Sequence, residues 1–424
     1  MSTRRGEGNG KTALVLAGGG LTGAVYEIGA LRAIDDMLVD RTVNDFDIYV
    51  GTSAGALVGA LLANGLSPDT LLQAIDGSLP GIRPIQRRDL FNVSRKELLC
   101  RSIELPRRLA NVWSHYLRHL DDTNLFDALW SLLEALPSGF YDGLALERYM
   151  RNALLKLGCV NEFDELERDL YIIATDIDSG QRVVFGKDER NDATISMAVA
   201  ASTALPIVYK PIRIGHSEFV DGGLRGNASL DVAIERGATL VICINPFVPY
   251  DSGDRVTNPF PGKADGSLSN KGMQAIASQA SRITAHAGLE YHAKQLRRSH
   301  PEVDIIIVEP SRDDYEMFFY NIMRYSTRLI VARHGFESVT LDLAEDYARY
   351  KEILARHDIP LTRRLVIEEL ARIRESDYGA EVIRQVMEAR GRCSRSRRDA
   401  PTCRLTRTLA QLEFTLDKMR AETK

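Results

Sequence analysis

Three short stretches hold the residues best placed to do chemistry. Gly51-Thr52-Ser53-Ala54-Gly55 is a G-x-S-x-G sequence between an apolar strand-like run, Asp47 to Val50, and an Ala/Leu-rich helical stretch ending near Asn64. That context places a serine on a sharp, strained turn with its hydroxyl clear of the backbone. The helix start behind it offers N–H groups and a positive dipole end to developing negative charge. Ser53 is the candidate nucleophile, Gly51 and Gly55 are the small flanks of the elbow, and Ala54 offers a backbone donor.

A serine nucleophile needs an oxyanion hole and a base. For the hole, Leu14-Val15-Leu16 leads through Ala17 into Gly18-Gly19-Gly20, with Gly23 three residues on. Two readings compete for these glycines. Gly18, Gly20 and Gly23 have the G-x-G-x-x-G spacing of a dinucleotide-binding turn, which requires an acidic residue at the end of the second strand to bind the ribose. That strand instead ends in Val50-Gly51-Thr52-Ser53, and Asp45 and Asp47 precede or open it. Successive glycines also leave backbone N–H groups unobstructed, and turns after adjacent parallel strands share one sheet edge. Gly18, Gly19 and Gly20 are therefore assigned to an oxyanion hole beside Ser53.

For the base, none of His115, His119, His216, His286, His292, His300, His334 and His357 sits in a turn just after a strand. His115 and His119 have the i, i+4 spacing of a zinc pair, yet Tyr116 stands where H-E-x-x-H requires glutamate. The stronger candidate is Asp221. Phe219-Val220 delivers it to a sharp turn at Gly222-Gly223, and Asn227 follows closely enough to help order the loop.

Strands alternate with helical stretches along the chain, the pattern of a parallel sheet. Strands are expected at Thr12 to Ala17, Asp47 to Val50, Leu170 to Ala174, Val183 to Phe185, Phe219 to Val220, Leu240 to Ile244 and Ile305 to Val308. The first long helix is expected from Ala24 to Leu38. From Pro84 to Pro137 the periodicity is helical, an insertion that reads as an extra packed layer or as a lid facing lipid. A second long helical region is expected to begin after Gly272 and to include Met317 to Val339, where Phe318, Phe319, Ile322 and Met323 cluster. Residues 390 to 407 hold seven arginines against Asp399, a solvated tail or a dock for anionic headgroups.

The 424-residue chain has 54 basic and 58 acidic residues, a net charge of −4, which excludes a chain-wide basic field for nucleic acid. Five scattered cysteines, Cys100, Cys159, Cys243, Cys393 and Cys403, form no C-x-x-C pair, which fits a reducing compartment better than a disulfide framework. No window reaches eighteen apolar residues. The expectation is a cytoplasmic protein whose membrane contact is peripheral.

Taken together, Gly18-Gly19-Gly20-Leu21-Thr22-Gly23, Gly51-Thr52-Ser53-Ala54-Gly55 and Asp221-Gly222-Gly223, in that order, resemble the three motifs of patatin-like phospholipases. "ATDIDSGQRVVF" (Ala174 to Phe185) and "AASTALPIVYKPI" (Ala200 to Ile212) also look like family stretches. The resemblance covers about residues 12 to 246. It implies a three-layer α/β/α fold with a mostly parallel central sheet, to which this chain adds the helical insertion and a helical C-terminal extension. It also implies a Ser53–Asp221 dyad without histidine, metal or cofactor, and a fatty-acyl lipid as substrate. Thr22 departs from the family, many members of which carry Arg or Lys there. The backbone donors survive that change, but a cation favouring anionic substrates is missing.

The expected organisation is a flexible N-terminus over 1–11, a catalytic domain over 12–310 interrupted at about 84–137, a helical region over 311–389 and an arginine-rich tail over 390–424. Two alternatives to hydrolysis remain open at this point: a catalytically silent lipid-binding or scaffold protein, and a transacylase using the same dyad.

Overall fold

The computed structural model describes residues 10–93, 138–251, 268–314 and 325–388, together with Thr408. Ten strands are found among them: β1 (Lys11–Leu16), β2 (Ile48–Thr52), β3 (Gly139–Tyr141), β4 (Asp169–Asp176), β5 (Arg182–Phe185), β6 (Ile207–Tyr209), β7 (Ile212–Ile214), β8 (Ser217–Asp221), β9 (Ala238–Ile244) and β10 (Asp304–Val308). Eight form the central sheet in the order β10-β9-β1-β2-β4-β8-β7, with β5 also paired to β4. The pairs from β10 to β4 run parallel, while β8, β7 and β5 are antiparallel additions. The short β3 and β6 pair separately.

Strand alternation sorts the core into two layers. Ala13, Val15 and Ala17 face one side with Val50, Ile173, Val241 and Cys243, and there meet helix Leu230–Glu235 and one face of helix Met273–Ser299. Leu14 and Leu16 face the other side with Tyr49, Ile172 and Ile242. That side is covered by α1 (Gly20–Met37), α2 (Ala54–Ala63), α3 (Ile195–Ser202) and α4 (Tyr325–Glu345). The strands are apolar on both faces because helices cover both, as in parallel sheets generally.

The C-terminal helices Arg364–Glu375 and Ala380–Glu388 join this second core through Val366, Ile373, Val386 and Met387. Helix α1 crosses α4 with the two backbones in contact. A Cβ on Gly29 would sit inside the Ala332 carbonyl, and one on Gly335 inside that of Tyr26. Arg32 and Asp36 of α1 form a buried ion pair, and Arg32 also donates to the Val386 carbonyl at 3.4 Å.

Two element boundaries correct the sequence expectations near the site. Helix α1 starts at Gly20 rather than Ala24, because the glycines that read as an open turn already form its first turn, with the Gly23 amide donating to the Gly19 carbonyl at 3.0 Å. Strand β2 runs on to Thr52, held in parallel register by Leu16 on one side and by Ile172 and Ile173 on the other. The elbow is thus confined to Ser53. Lys11, expected in a flexible terminus, opens β1 and bonds Asp169 at 2.8 Å.

Most of the helical insertion, with His115 and His119, lies outside the described residues, as do Phe318, Phe319, Ile322, Met323 and the arginine-rich stretch. No described helix is long and apolar enough to cross a membrane.

Candidate active site

The carboxyl ends of β1 and β2 lie side by side, since Leu16 pairs with Gly51. Whatever follows those strands must therefore be adjacent. Ser53 follows β2 with φ 53° and ψ −116°, a left-handed backbone rarely adopted by a residue bearing a side chain. Immediately after it, α2 turns back under β1. A Cβ on Gly55 would collide with the Leu16 carbonyl, and one on Gly51 would come within 2.5 Å of the Gly55 carbonyl oxygen. The two flanking glycines are required by this close passage.

Asp221 reaches the same place from the antiparallel side. It ends β8 opposite Ala174 of β4, and its amide donates to the Ala204 carbonyl at 2.9 Å. The Ser53 hydroxyl donates to Asp221 Oδ2 at 2.6 Å, and the Gly223 amide donates to Oδ1 at 2.8 Å. Gly222 leaves no room for a Cβ against the Ile173 carbonyl, so the turn after the aspartate is pressed onto β4.

Both side chains are nearly closed off from solvent, at 8% exposure for Ser53 and 6% for Asp221. Burial pushes the Asp221 carboxyl up to about 6, against the opposing pull of the hydrogen bonds from Ser53 and Gly223. A carboxylate desolvated in this way is a better proton acceptor than one in water, yet it is still mainly ionised at neutral pH.

The glycine loop abuts the serine. A Cβ on Gly18 would lie 3.3 Å from Ser53 Cβ and 2.7 Å from Asn227 Oδ1. Gly20 has φ +62°, the left-handed region open to glycine, and it begins α1. Among the described residues the N–H groups of Gly19, Gly20 and Ala54 have no hydrogen-bond acceptor. Two helix starts therefore present free donors beside the hydroxyl.

The Gly18 N–H, by contrast, donates to the Asn227 carbonyl at 3.1 Å. Gly23 lies inside the first turn of α1, close to Pro246, where a Cβ would meet the proline ring at 3.0 Å.

No histidine bonds to Ser53 among the described residues. His286 is buried against Glu309 at 3.1 Å, His292 faces Asp231 at 3.8 Å, and His216 is exposed in the turn between β7 and β8. Sequence reasoning missed Ser202, the last residue of α3. Its hydroxyl accepts from the Ser53 amide at 2.8 Å. It also missed Asn245 and Glu309, which stand behind Asn227. Nothing local distinguishes these three from ordinary polar residues at the ends of elements.

The family model described as patatin-like phospholipase matches residues 14–234. The chain is 20% identical over 222 residues to "Probable lipid hydrolase 463L" of Invertebrate iridescent virus 6, covering 52% of this chain and 63% of that protein. It is 25% identical over 227 residues to the uncharacterized protein YqhO of Bacillus subtilis (strain 168), covering 50% of this chain and 63% of YqhO. In both cases the chain spans less than two thirds of the relative's length. Among solved structures, VipD from Legionella pneumophila aligns with TM-score 0.34 at 15% identity, over 79% of this chain and 67% of VipD. The type III effector ExoU aligns with TM-score 0.24 at 17% identity, over 86% of this chain and 64% of ExoU.

Proposed function

The chain belongs to the patatin-like phospholipase family, and from that premise we propose that it is a serine lipid acyl hydrolase. Its substrate class is a fatty-acyl ester, as in a phospholipid, lysophospholipid or related lipid. The observation that carries the reading is the 2.6 Å hydrogen bond from the Ser53 hydroxyl to a buried Asp221 carboxylate.

Ser53 Oγ attacks the ester carbonyl carbon while Asp221 accepts the hydroxyl proton. The N–H groups of Gly19, Gly20 and Ala54 receive the oxyanion, and each such donor is typically worth about 2.7–4 kcal/mol of barrier. Collapse of the tetrahedral intermediate forms acyl-Ser53, and Asp221 returns its proton to the leaving alcohol. Water, deprotonated by Asp221, then attacks the acyl carbon, and collapse of that intermediate releases the fatty acid while Asp221 returns the proton to Ser53 Oγ. Thr22, where many members have a cation, leaves anionic headgroups without a charged partner from the loop, so neutral esters are within the substrate range.

The test is release of p-nitrophenol from short- and long-chain acyl esters by the wild type, Ser53→Ala and Asp221→Asn, with folding followed by circular dichroism. Both variants should keep the fold and lose roughly 10³-fold or more in kcat, as dyad residues acting as a unit do. A folded Asp221→Asn protein with full activity would remove Asp221 as the base.

A further inference from the structure

Gly18 is held from both directions by a single residue. Its N–H donates to the Asn227 carbonyl at 3.1 Å, and its own carbonyl accepts from Asn227 Nδ2 at 3.2 Å. The same Nδ2 donates to Asn245 Oδ1 at 2.9 Å, and Asn245 Nδ2 donates to Glu309 Oε1 at 2.8 Å. Glu309 Oε2 lies 3.1 Å from His286 Nε2, and Arg312 Nη2 approaches that ring nitrogen at 3.2 Å.

The topology accounts for this row. Asn245 is the first residue after β9 and Glu309 the first after β10, with Ile244 and Val308 paired, and Leu16 of β1 pairs with Ile244 in turn. Glycine loop, Asn245 and Glu309 therefore stand side by side along the edge where parallel strands present their functional loops.

The row has a fixed polarity. The Glu309 carboxyl accepts from the Asn245 NH₂ and the Phe247 amide donates to Asn245 Oδ1 at 3.2 Å, so the two together turn the NH₂ toward Glu309 and the carbonyl oxygen toward Asn227. That oxygen obliges Asn227 to present its own NH₂, which is the orientation that clasps the Gly18 carbonyl. Asn245 is fully buried and Asn227 is 6% exposed, so a flipped amide would leave buried donors facing donors.

We infer that Asn245, oriented by Glu309, is a positioning residue that fixes the glycine loop through Asn227 and so aims the Gly19 and Gly20 donors at the oxyanion. The inference rests on the proposed acyl hydrolysis for its kinetic consequence but not for its structural one. Asn245 touches no substrate. Its contribution belongs to the transition state, because the donors it aims are used fully only when the oxyanion forms.

Asn245→Ala removes the link, and Glu309→Gln keeps its shape while weakening the enforced polarity, leaving the Phe247 amide as its remaining support. Kinetics on a p-nitrophenyl ester and amide hydrogen exchange of the peptide spanning residues 14–23 read the two consequences separately. In both variants kcat should fall about tenfold or more, short of the roughly 10²–10³ of a deleted donor, with KM held within about twofold. Exchange in the glycine loop should accelerate while β9 and β10 stay protected. Glycine-loop exchange as slow as in the wild type in both variants would overturn the inference, and so would a loss carried by KM with kcat intact. If the wild type cleaves no ester and a fluorophosphonate does not label Ser53, the hydrolase reading fails, and the exchange measurement alone decides the positioning role. Glu309→Gln is the arm that remains should Asn245→Ala not fold.

Discussion

The backbone amide of Ser53 donates to the Ser202 hydroxyl at 2.8 Å, and that hydroxyl donates onward to the Ile173 carbonyl at 2.5 Å. The amide belongs to a residue held at φ 53°, a conformation that typically costs about 1–3 kcal/mol and persists only where its surroundings dictate it. Ser202, wholly buried, supplies part of that dictation. Ser202→Ala leaves the Ser53 N–H and the Ile173 carbonyl without this partner inside the core. It should lower unfolding free energy by about 1–3 kcal/mol in denaturant titration and reduce kcat more than it raises KM. Stability and kcat both at wild-type levels would mean that the elbow is held by β2 and α2 alone.

Activity should depend on pH through Asp221. The base form is the carboxylate, and burial raises its pKa to about 6. The value of kcat/KM should therefore rise as pH climbs through about 6 and level off above it, not near 4 where a solvated aspartate titrates. A profile measured on a neutral ester, whose own charge is constant, decides this. A flat profile through pH 6 would exclude Asp221 as the group that must lose its proton.

The same shift makes a stability statement with a definite sign. The Asp221 proton is bound more tightly in the folded protein than in the unfolded chain, whose carboxyl titrates near its ordinary value of 3.8. Folding is therefore favoured by this group below about 4, and that contribution is lost as pH rises through about 6. Asp221→Asn carries no such dependence. It should be the more stable protein at about pH 8, by an amount on the order of 3 kcal/mol or less, with the advantage shrinking toward acid. Urea titrations at the two pH extremes measure it, and an Asn variant that is less stable at pH 8 would contradict the sign.

Much of this site was legible in the sequence because its chemistry is local. Gly51 to Gly55 and Asp221 to Gly223 each specify a turn from adjacent residues, and both turns lie where strand-to-loop patterning puts them. The glycine loop's place beside Ser53 was legible, but its hydrogen bonding was not. Gly18 is occupied by Asn227, a partner 209 positions away in the chain, and no spacing rule reports that. Ser202, Asn245 and Glu309 were hidden for the same reason, since each acts on a residue brought near only by the order of strands in the sheet. The early start of α1 was hidden because three glycines read as a turn, whereas Pro246 packs against Gly19 and Gly23 at the entry to the helix.

Glu27 is the clearest stability cost in the fold. It lies on α1, fully buried, and neither carboxyl oxygen has a hydrogen-bond partner among the described residues. Burial alone pushes its pKa well above the ordinary glutamate range, favouring the uncharged acid. An unsatisfied buried polar group typically costs about 1–3 kcal/mol, and an apolar side chain of similar length avoids that cost. Glu27→Met should accordingly raise the melting temperature, with the site unchanged. Glu27→Gln keeps the orphaned polar atoms but removes the titration, so its stability relative to the wild type should rise progressively as pH climbs above the ordinary glutamate value of 4.5. Thermal melts of both variants across pH separate the two effects. A Glu27→Met protein that melts below the wild type would show instead that the carboxyl holds a polar group in place, and that α1 depends on it.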